Sequence, residues 1–512
     1  MLLSDVLRRA GHKFPSRRAI VTADRTVTYA ELRDDANRVG NALREVAARG
    51  DRIAILAENI PEYVVCYYGV PAAGMALTFL NYRLHPREWV WILNNAGASG
   101  LIVQAKFYDT LEPHLADLES VERFWIVPDD AGTRGGRPTF DDLLAAGAVE
   151  EPPRDVHPDD TAWLIYTSGT TGFPKGAMLT HTSILEAVKA TMVEAEPVDD
   201  DRSLLAFPLC HVAGYGVPAM NLRGGTIVVP TAFEPESWMA MVDEHQITST
   251  ALAPTMLQMI LQHPRIDDYS LRSLRSIGYG AAAMPVEVLR RAIERFGPIV
   301  ASGFGMTELS GNVLTFKKDA HVRAVNGEEH LLASCGVPMA LADVMVVDDD
   351  FVECPPGQIG EIVVRGDQVL KGYFGNPEAT AAAFCGEWFK TGDMARRDEE
   401  GFFYIVDRKK DMIITGGENV YSREVEEALY LHPGVAEAAV IGLPDETWGE
   451  NVTAVIVPRA GATITEAEII ETVRDRLAGY KKPKAVHFID EMPKTVSGKI
   501  LKRDLRERFA PR

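Results

Sequence analysis

Apolar positions in the first part of the chain alternate between two spacings. From Tyr29 to about Ala48 they recur at helical period, and Arg52–Ala57 is a short apolar run of strand length. Asn59 and Pro61 mark the next helix start, with Glu62 favourable in its first turn; that helix is expected to reach about Val70. A short buried strand follows around Ala76–Leu80, and Gly100–Gln104 and Phe124–Pro128 continue the alternation. Strands separated by helices of this length predict parallel sheets with helices on their faces. Asp129–Pro158, rich in Gly, Pro, Asp and Arg, reads as an exposed linker.

The same grammar resumes at Trp163–Tyr166, a strand, and at Ser183 to about Met192, a helix. Ser203–Phe207, Thr226–Val229, Ser249–Ala251 and Leu274–Ile277 are further strands, with a helix at Pro235–His245. Beyond Glu308 the pattern shortens to strands with turn residues between Asp343 and Ile405, which implies a β-rich subdomain at about 340–405. A charged run, Asp407–Asp411, precedes a compact αβ pattern. The expected organisation is α/β: a large N-terminal domain of parallel sheets flanked by helices at 1–407, a hinge at 408–411, and a small mobile α+β C-terminal domain at 412–512.

The length of 512 residues supports this division, since one core rarely serves so long a chain. A hydrophobic fraction of 46% and a charged fraction of 25% describe an ordinary soluble protein. The net charge of −20 argues against nucleic acid or an anionic membrane as the main partner. An anionic substrate must therefore meet local positive charge. The segment Tyr63–Tyr82 carries no charge, but Gly69, Pro71 and Gly74 interrupt it and no basic flank favours one side; it reads as buried rather than membrane-spanning. The N-terminus lacks an apolar stretch of signal-peptide length, and the five cysteines show no metal or redox spacing, so they read as reduced thiols in a cytoplasmic protein.

One stretch concentrates chemistry: YTSGTTGFPKG, Tyr166–Gly176. Thr167, Ser168, Thr170 and Thr171 supply hydroxyls, Gly169 and Gly172 allow close backbone approach, and Lys175 adds a compact positive charge. Such a loop suits phosphate oxygens. It is not a Walker loop, because no Gly-Lys-Ser/Thr follows at the required spacing. The glycine-rich exit Gly278–Ala283 matches a dinucleotide fingerprint only loosely, and the other requirements of that fold are not visible.

Five further stretches follow in order: GFGMTE (Gly303–Glu308), TGD (Thr391–Asp393), DRKK (Asp407–Lys410), GGEN (Gly416–Asn419) and PKTVSGK (Pro493–Lys499). With the phosphate loop, they resemble the signature of the adenylate-forming superfamily along nearly the whole chain, and are most like fatty-acid or aryl-acid CoA ligases. Two positions depart from its usual pattern. Phe304 stands where tyrosine is common, and the small Ser302 where a larger polar residue is common.

The resemblance implies ATP-dependent activation of a monocarboxylic acid, fatty or aryl, to an acyl-adenylate with pyrophosphate release. Transfer to the CoA thiol then gives acyl-CoA and AMP. Delivery to a carrier protein or to another nucleophile, an amine or oxygen chemistry, remains the alternative, and a non-catalytic nucleotide sensor is the non-enzyme one. It assigns Thr170 and Glu308 to Mg²⁺, and Thr167, Ser168, Gly169, Thr170, Thr171, Gly172 and Lys175 to the phosphates. Gly280, Ala281, Ala282, Gly303, Phe304, Gly305, Met306 and Thr307 fall to the nucleotide, with Asp393 on the ribose hydroxyls and Arg408 beside it. Lys410 becomes the pivot and Lys499 the lysine of adenylation, so that Lys499, Thr170, Lys175, Glu308 and Lys410 form the catalytic set. Gly416, Gly417 and Trp448 would line a thiol tunnel, although tryptophan there equally suits core packing. The acid would lie against His211, Val212, Tyr215, Tyr279, Gly280, Ser302 and Gly303; these segments hold no charged partner for a second substrate charge. Lys409 reads as a solvated charge, and Lys481, Lys482 and Lys484 as a solvated face that would also suit CoA phosphates. The partners are thus a small acid and CoA, without nucleic acid or an integral membrane segment, and with a homodimer left open.

Overall fold

The computed structural model describes residues 1–130, 132–134, 136–167, 174–194, 200–280, 284, 286–494 and 500–510. It consists of two compact units, one of residues 1–344 and 364–389, the other of residues 345–363 and 390–512.

The first unit contains two large sheets. In one, five parallel strands run in the order Thr161–Thr167, Ala76–Phe79, Arg52–Leu56, Gly100–Gln104, Arg123–Val127. Lys175–Thr180 and Gly372–Tyr373 extend it antiparallel beyond Thr161–Thr167. The other sheet has nine strands, with Val300–Met306, Ser276–Tyr279, Ser249–Leu252, Arg202–Leu205, Thr226–Val228 and Arg18–Val21 parallel in its centre. The alternation of apolar runs and helical periods therefore builds the expected α/β architecture.

Local sequence accounts for several boundaries. Thr28 and Glu31 form a reciprocal capping box at the start of helix Tyr29–Val46. The helix begun by Pro61 continues through Pro71 to Ala72, two residues beyond the expected end. Proline has no N–H for the carbonyl one turn back. That carbonyl, on Tyr67, instead accepts from Trp163 Nε1 at 3.3 Å. The helix break is thereby converted into a tie to the strand that leads to the phosphate loop. Tyr67 also stacks on Phe79, with centroids 5.4 Å apart, and lies 4.7 Å from Trp163. The charge-free segment is core: nearly every residue of it is buried, and among the described residues no helix is long and apolar enough to cross a membrane.

Three expectations are corrected. The presumed linker holds a helix, Phe140–Ala146, capped reciprocally by Thr139 and Asp142, whose short acidic sequence hid its period. The strand placed at Leu274–Ile277 is Ser276–Tyr279, so it delivers Tyr279 to the sheet rather than to the loop beyond it. Lys175 opens a strand rather than closing a loop.

In the second unit, residues 390–397 pair antiparallel with Phe403–Arg408. A five-stranded sheet follows, built on Val435–Asp445 and Gly449–Pro458, with Ala485–Phe488 parallel to the latter. Helices Ser422–Tyr430 and Glu466–Arg474 share one apolar core with this sheet, including Val425, Leu429, Val440, Ile456, Ile469 and Val473. Helix Lys502–Phe509 packs Leu505 into a second cluster with Ile441, Val455 and Met492. Alternating apolar residues on two faces of the long strands explain why this sheet carries helices on both sides.

Candidate active site

Thr167 ends its strand directly opposite Lys175 on the next. Its hydroxyl lies 3.2 Å from Glu308 Oε1 and donates to it. Tyr373 donates to the same carboxylate oxygen from the other side, at 3.1 Å. The Lys175 ammonium is 5.2 Å from the centre of the Tyr373 ring. Three residues named from sequence, Thr167, Lys175 and Glu308, thus converge around Tyr373, which sequence reasoning missed. Its edge strand is only two residues long, too short for any periodic signal.

Glu308 is buried within the short turn Thr307–Leu309. The turn is fastened from outside: Leu370 N donates to the Glu308 carbonyl at 2.8 Å. The fully buried Gln368 donates to the carbonyls of Leu309 and Asn312, each at 2.9 Å. Gln368 is a second residue that the sequence did not reveal. Its work is to hold backbone, which leaves no motif.

Val300–Met306 is an interior strand, yet Ala301 to Met306 are all partly exposed. An interior strand open to solvent is the floor of a cleft. Phe304, Met306, Ser302 and Thr307 line or border that floor, and Gly280 lies beside it, a Cβ there coming no nearer than 3.6 Å to the Gly303 carbonyl. Gly303 and Gly305 are small for a different reason. A Cβ on Gly303 would stand 2.3 Å from Asn312 Nδ2, and one on Gly305 would stand 2.0 Å from the Gly311 carbonyl. Both glycines accommodate the neighbouring strand, Gly311–Phe316, so their smallness does not measure room for the acid. Ala301 and Ser302 retain that role.

His211 starts a short turn, Val212–Tyr215, and is partly exposed with Val212. Gly214 in this turn admits the Tyr67 hydroxyl, which a Cβ would meet at 2.0 Å. The Tyr215 ring lies against Gly311, and its hydroxyl is shared with Thr191 and the Asn312 backbone. The turn therefore reaches the same cleft wall as Met306, which pairs with Gly311.

In the second unit, Asp393 and Arg408 occupy facing positions on adjacent strands, and Arg408 Nε lies 2.7 Å from Asp393 Oδ1. Asp393 is buried within the strand Trp388–Arg397 rather than in a turn, with its N–H on the Thr391 hydroxyl at 3.1 Å. Lys409 is not a merely solvated charge: it pairs with Asp349 at 3.0 Å and Glu361 at 3.2 Å. Those carboxylates raise its pKa against the opposing effect of burial. Lys410 next to it is exposed.

Gly416 and Trp448, far apart in sequence, are brought together. Gly416 N donates to the Trp448 carbonyl at 2.8 Å, and a Cβ on Gly416 would touch the indole at 2.8 Å. Gly416 and Gly417 both have positive φ, 60° and 83°. Trp448 is 49% exposed, and Lys484 Nζ lies 3.9 Å over its ring. This resolves the tryptophan as a surface residue rather than core packing. Lys481 is engaged by Glu424 at 2.6 Å, so the basic cluster is only partly solvated.

Ser168, Gly169, Thr170, Thr171, Gly172, Ala281, Ala282 and Lys499 lie outside the described residues. Around Lys502, three positions beyond the last of these in sequence, lies a buried network that sequence reasoning missed. Asp407 Oδ2 accepts from the N–H and hydroxyl of Ser422, the latter at 2.8 Å. Lys502 donates to Ser422 Oγ at 2.6 Å and pairs with Glu426 at 2.7 Å. Glu426 also accepts from Val440 N at 2.8 Å. Burial raises the Glu426 carboxyl pKa, opposed by Lys502. In the sequence these residues look like ordinary surface charges.

The site so assembled is a carboxylate held by hydroxyls beside an ammonium, at the end of a parallel sheet. Residues 7–374 match the family described as "AMP-binding enzyme", and residues 424–499 match "AMP-binding enzyme C-terminal domain". The chain is 41% identical to a feruloyl-CoA synthase of Amycolatopsis sp over 98% of each sequence. It is 35% identical to a medium/long-chain-fatty-acid–CoA ligase of Mycobacterium tuberculosis, covering 95% of this chain and 86% of that one. Among solved structures, an anthranilate CoA ligase in complex with anthranoyl-AMP superimposes with a TM-score of 0.87 at 27% identity, covering 100% of this chain and 97% of that one. The chain belongs to the AMP-binding enzyme family. Within it, the chain falls among the adenylate-forming ligases.

Proposed function

We propose that this ligase activates a monocarboxylic acid with an apolar aryl or alkyl body and passes it to CoA. The reaction class is that of an AMP-forming acid–thiol ligase. A carboxylate oxygen attacks the α-phosphorus of ATP, the bond to the bridging oxygen breaks, and pyrophosphate leaves with the electron pair. The CoA sulfur then attacks the acyl carbon, the bond to AMP breaks, and the thiol proton passes to solvent.

The observation that carries the reading is Glu308, a buried carboxylate with two hydroxyl donors on one oxygen and Lys175 nearby. Among the described residues no cluster of three or more His, Cys, Asp or Glu would hold a metal by itself. A single carboxylate is what Mg²⁺ requires when substrate phosphates complete its shell. Glu308 would therefore hold Mg²⁺, which offsets the negative charge gathered by an acid and a triphosphate. Lys175 orients the departing phosphates, and Asp393 meets the ribose hydroxyls with Arg408 steadying it. Lys499 would stabilise charge at the α-phosphate. Gly416, Gly417, Trp448 and Lys484 gather two bare glycine backbones, an exposed indole and a positive charge, which would suit the pantetheine and phosphates of CoA. Five free thiols suit a reducing cytoplasm.

The acid class rests on the half-open cleft floor at Ala301 and Ser302 and on the absence of charged side chains in His211–Pro218 and Ala301–Met306. A second buried charge on the acid would lack a partner, at a cost of several kcal/mol. The test is pyrophosphate release over a panel of acids, with and without CoA. Cinnamate and octanoate are expected to exceed succinate and free amino acids, with acyl-CoA accumulating only when CoA is present. Higher activity with succinate or an amino acid, or transfer to an amine in preference to CoA, would overturn the reading.

A further inference from the structure

Helix Pro61–Ala72 packs on the sheet that feeds the phosphate loop, whereas the turn Val212–Tyr215 follows strand Arg202–Leu205 of the nine-stranded sheet. Tyr67, fully buried, fastens one to the other. Its carbonyl accepts from Trp163 Nε1 at 3.3 Å, on the strand that ends at Thr167. Its hydroxyl, at the far end of the side chain, donates to the carbonyl of Leu209, two residues before His211. Asn59, two residues ahead of the same helix, grips the same segment. Its Oδ1 accepts from Leu209 N at 2.8 Å, and its Nδ2 donates to the Phe207 carbonyl at 3.1 Å. Beyond this anchor the chain folds back onto Tyr67. Gly214 N donates to the His211 carbonyl at 2.9 Å, and the place of a Gly214 side chain is taken by the Tyr67 hydroxyl. Gly214 is buried, while His211, Val212, Ala213 and Tyr215 around it are partly exposed. The face of the turn that would meet the acid is therefore held at its height from behind.

We propose that Tyr67 is a specificity-determining positioning residue: through Leu209 and Gly214 it sets how far the His211–Tyr215 turn stands into the cleft, and with it the bulk of the acid accepted. This rests on the acid-ligase reading above and deepens it. Leu209 is buried, so its carbonyl needs a donor. Tyr67→Phe removes that donor together with the atom against which Gly214 rests, so the turn settles toward the helix and the cleft widens. Gly214→Ala acts in the opposite sense. Its methyl would stand 2.0 Å from the Tyr67 hydroxyl oxygen and 2.8 Å from the ring carbon that bears it, which pushes the turn outward and narrows the cleft. With both substitutions the nearest obstacle is gone, and the two displacements oppose each other. A residue serving only the core would lower stability in both single variants without moving selectivity in opposite directions.

The experiment uses a ladder of bulk, cinnamate and its 4-methyl, 4-ethyl and 4-tert-butyl derivatives, with the full-length enzyme, Tyr67→Phe, Gly214→Ala and the double variant. Pyrophosphate release gives kcat and KM for each acid and KM for ATP, and thermal unfolding reports stability. Tyr67→Phe is expected to lower the preference for small over bulky acids about tenfold, and Gly214→Ala to raise it by a similar factor, the scale of one hydrogen bond. The double variant should lie between them, with KM for ATP within about twofold of wild type throughout. Preferences unchanged in both single variants, shifts of the same sign in both, or losses that are equal for every acid and follow the melting temperature would overturn the proposal. If one single variant fails to fold, the other decides by the sign of its own shift, with the double variant as its check. If the wild type uses these acids and the variants leave the ladder unmoved, the ligase reading stands and the positioning role falls. If neither the cinnamates nor octanoate release pyrophosphate, both fall.

Discussion

The ammonium of Lys502 donates to the hydroxyl of Ser422 at 2.6 Å, and that hydroxyl in turn donates to Asp407 at 2.8 Å. Lys502 follows Lys499 by three positions, and Asp407 immediately precedes Arg408. The hinge motif and the helix Lys502–Phe509 are thus joined through one serine.

Removing Lys502 would leave the buried Glu426 carboxylate without its counter-charge. Lys502→Met is expected to destabilise the enzyme by up to about 3 kcal/mol in denaturant unfolding, since breaking a buried pair costs more than the pair contributes. Lys502→Met combined with Glu426→Leu should recover part of that loss. If the double variant is as unstable as the sum of the two single ones, the pair is not a coupled unit.

Glu308 depends on two hydroxyls for its orientation. Tyr373→Phe removes one donor and should raise the Mg²⁺ concentration for half-maximal pyrophosphate release about tenfold, the scale of one hydrogen bond to a charged group. Thr167→Val should act in the same direction. Unchanged Mg²⁺ dependence in both variants would separate Glu308 from the metal.

Asp393 offers its test through the sugar. The wild type should prefer ATP to 2′-deoxyATP by about tenfold in kcat/KM, and Asp393→Asn should lose most of that discrimination, because an amide nitrogen cannot accept from a hydroxyl. Retained discrimination would assign ribose recognition elsewhere.

The two half-reactions should separate. Lys499→Ala is expected to lower adenylate formation by roughly 10²-fold or more while sparing thioester formation from supplied acyl-AMP. Lys410→Pro, which fixes φ near about −65°, should do the reverse if Lys410 is the pivot. Parallel losses in both steps would count against alternation about residues 408–411.

Acid stability follows from a buried imidazole. His181 Nδ1 accepts from Leu3 N at 3.0 Å, and burial lowers its pKa from 6.5 to about 4. The unfolded chain binds this proton below about pH 6.5 and the folded one only near 4, so stability is present above that window and lost as pH falls through it. His181→Asn keeps an acceptor for Leu3 and removes the titration. Between pH 6.5 and 4 its unfolding free energy should fall with a slope smaller by about one proton than that of the wild type.

What the sequence made legible divides by physical cause. Helix Pro235–His245 and strand Gly100–Gln104 lie where their periodicity placed them, because each buries a face whose spacing is local. Thr167 and Lys175, singled out by a string of hydroxyls, glycines and a cation, and Glu308, singled out by resemblance, are brought together around Tyr373. Tyr373, Gln368 and Lys502 were not legible. Each acts on an atom distant in sequence, Glu308 Oε1, the Leu309 carbonyl or Ser422 Oγ, and no local pattern records such a partner. Lys409 was misjudged for the same reason: a lysine in a charged run looks solvated until Glu361 and Asp349 are found beside it.

Gly303 and Gly305 bear on the retailoring of this enzyme. Their missing side chains make way for Asn312 and the Gly311 backbone rather than for the acid. A mutagenesis library spread evenly along the cleft floor would spend those two positions on variants that push neighbouring strands apart, losing protein before any selectivity is sampled. Diversity placed at Ala301 and Ser302 leaves the strand pairing alone, whereas Tyr215 lies against Gly311 and bonds the Asn312 backbone. The evolvable surface of the pocket is therefore narrower than its run of small residues suggests, and it lies on two consecutive residues at the start of a single strand.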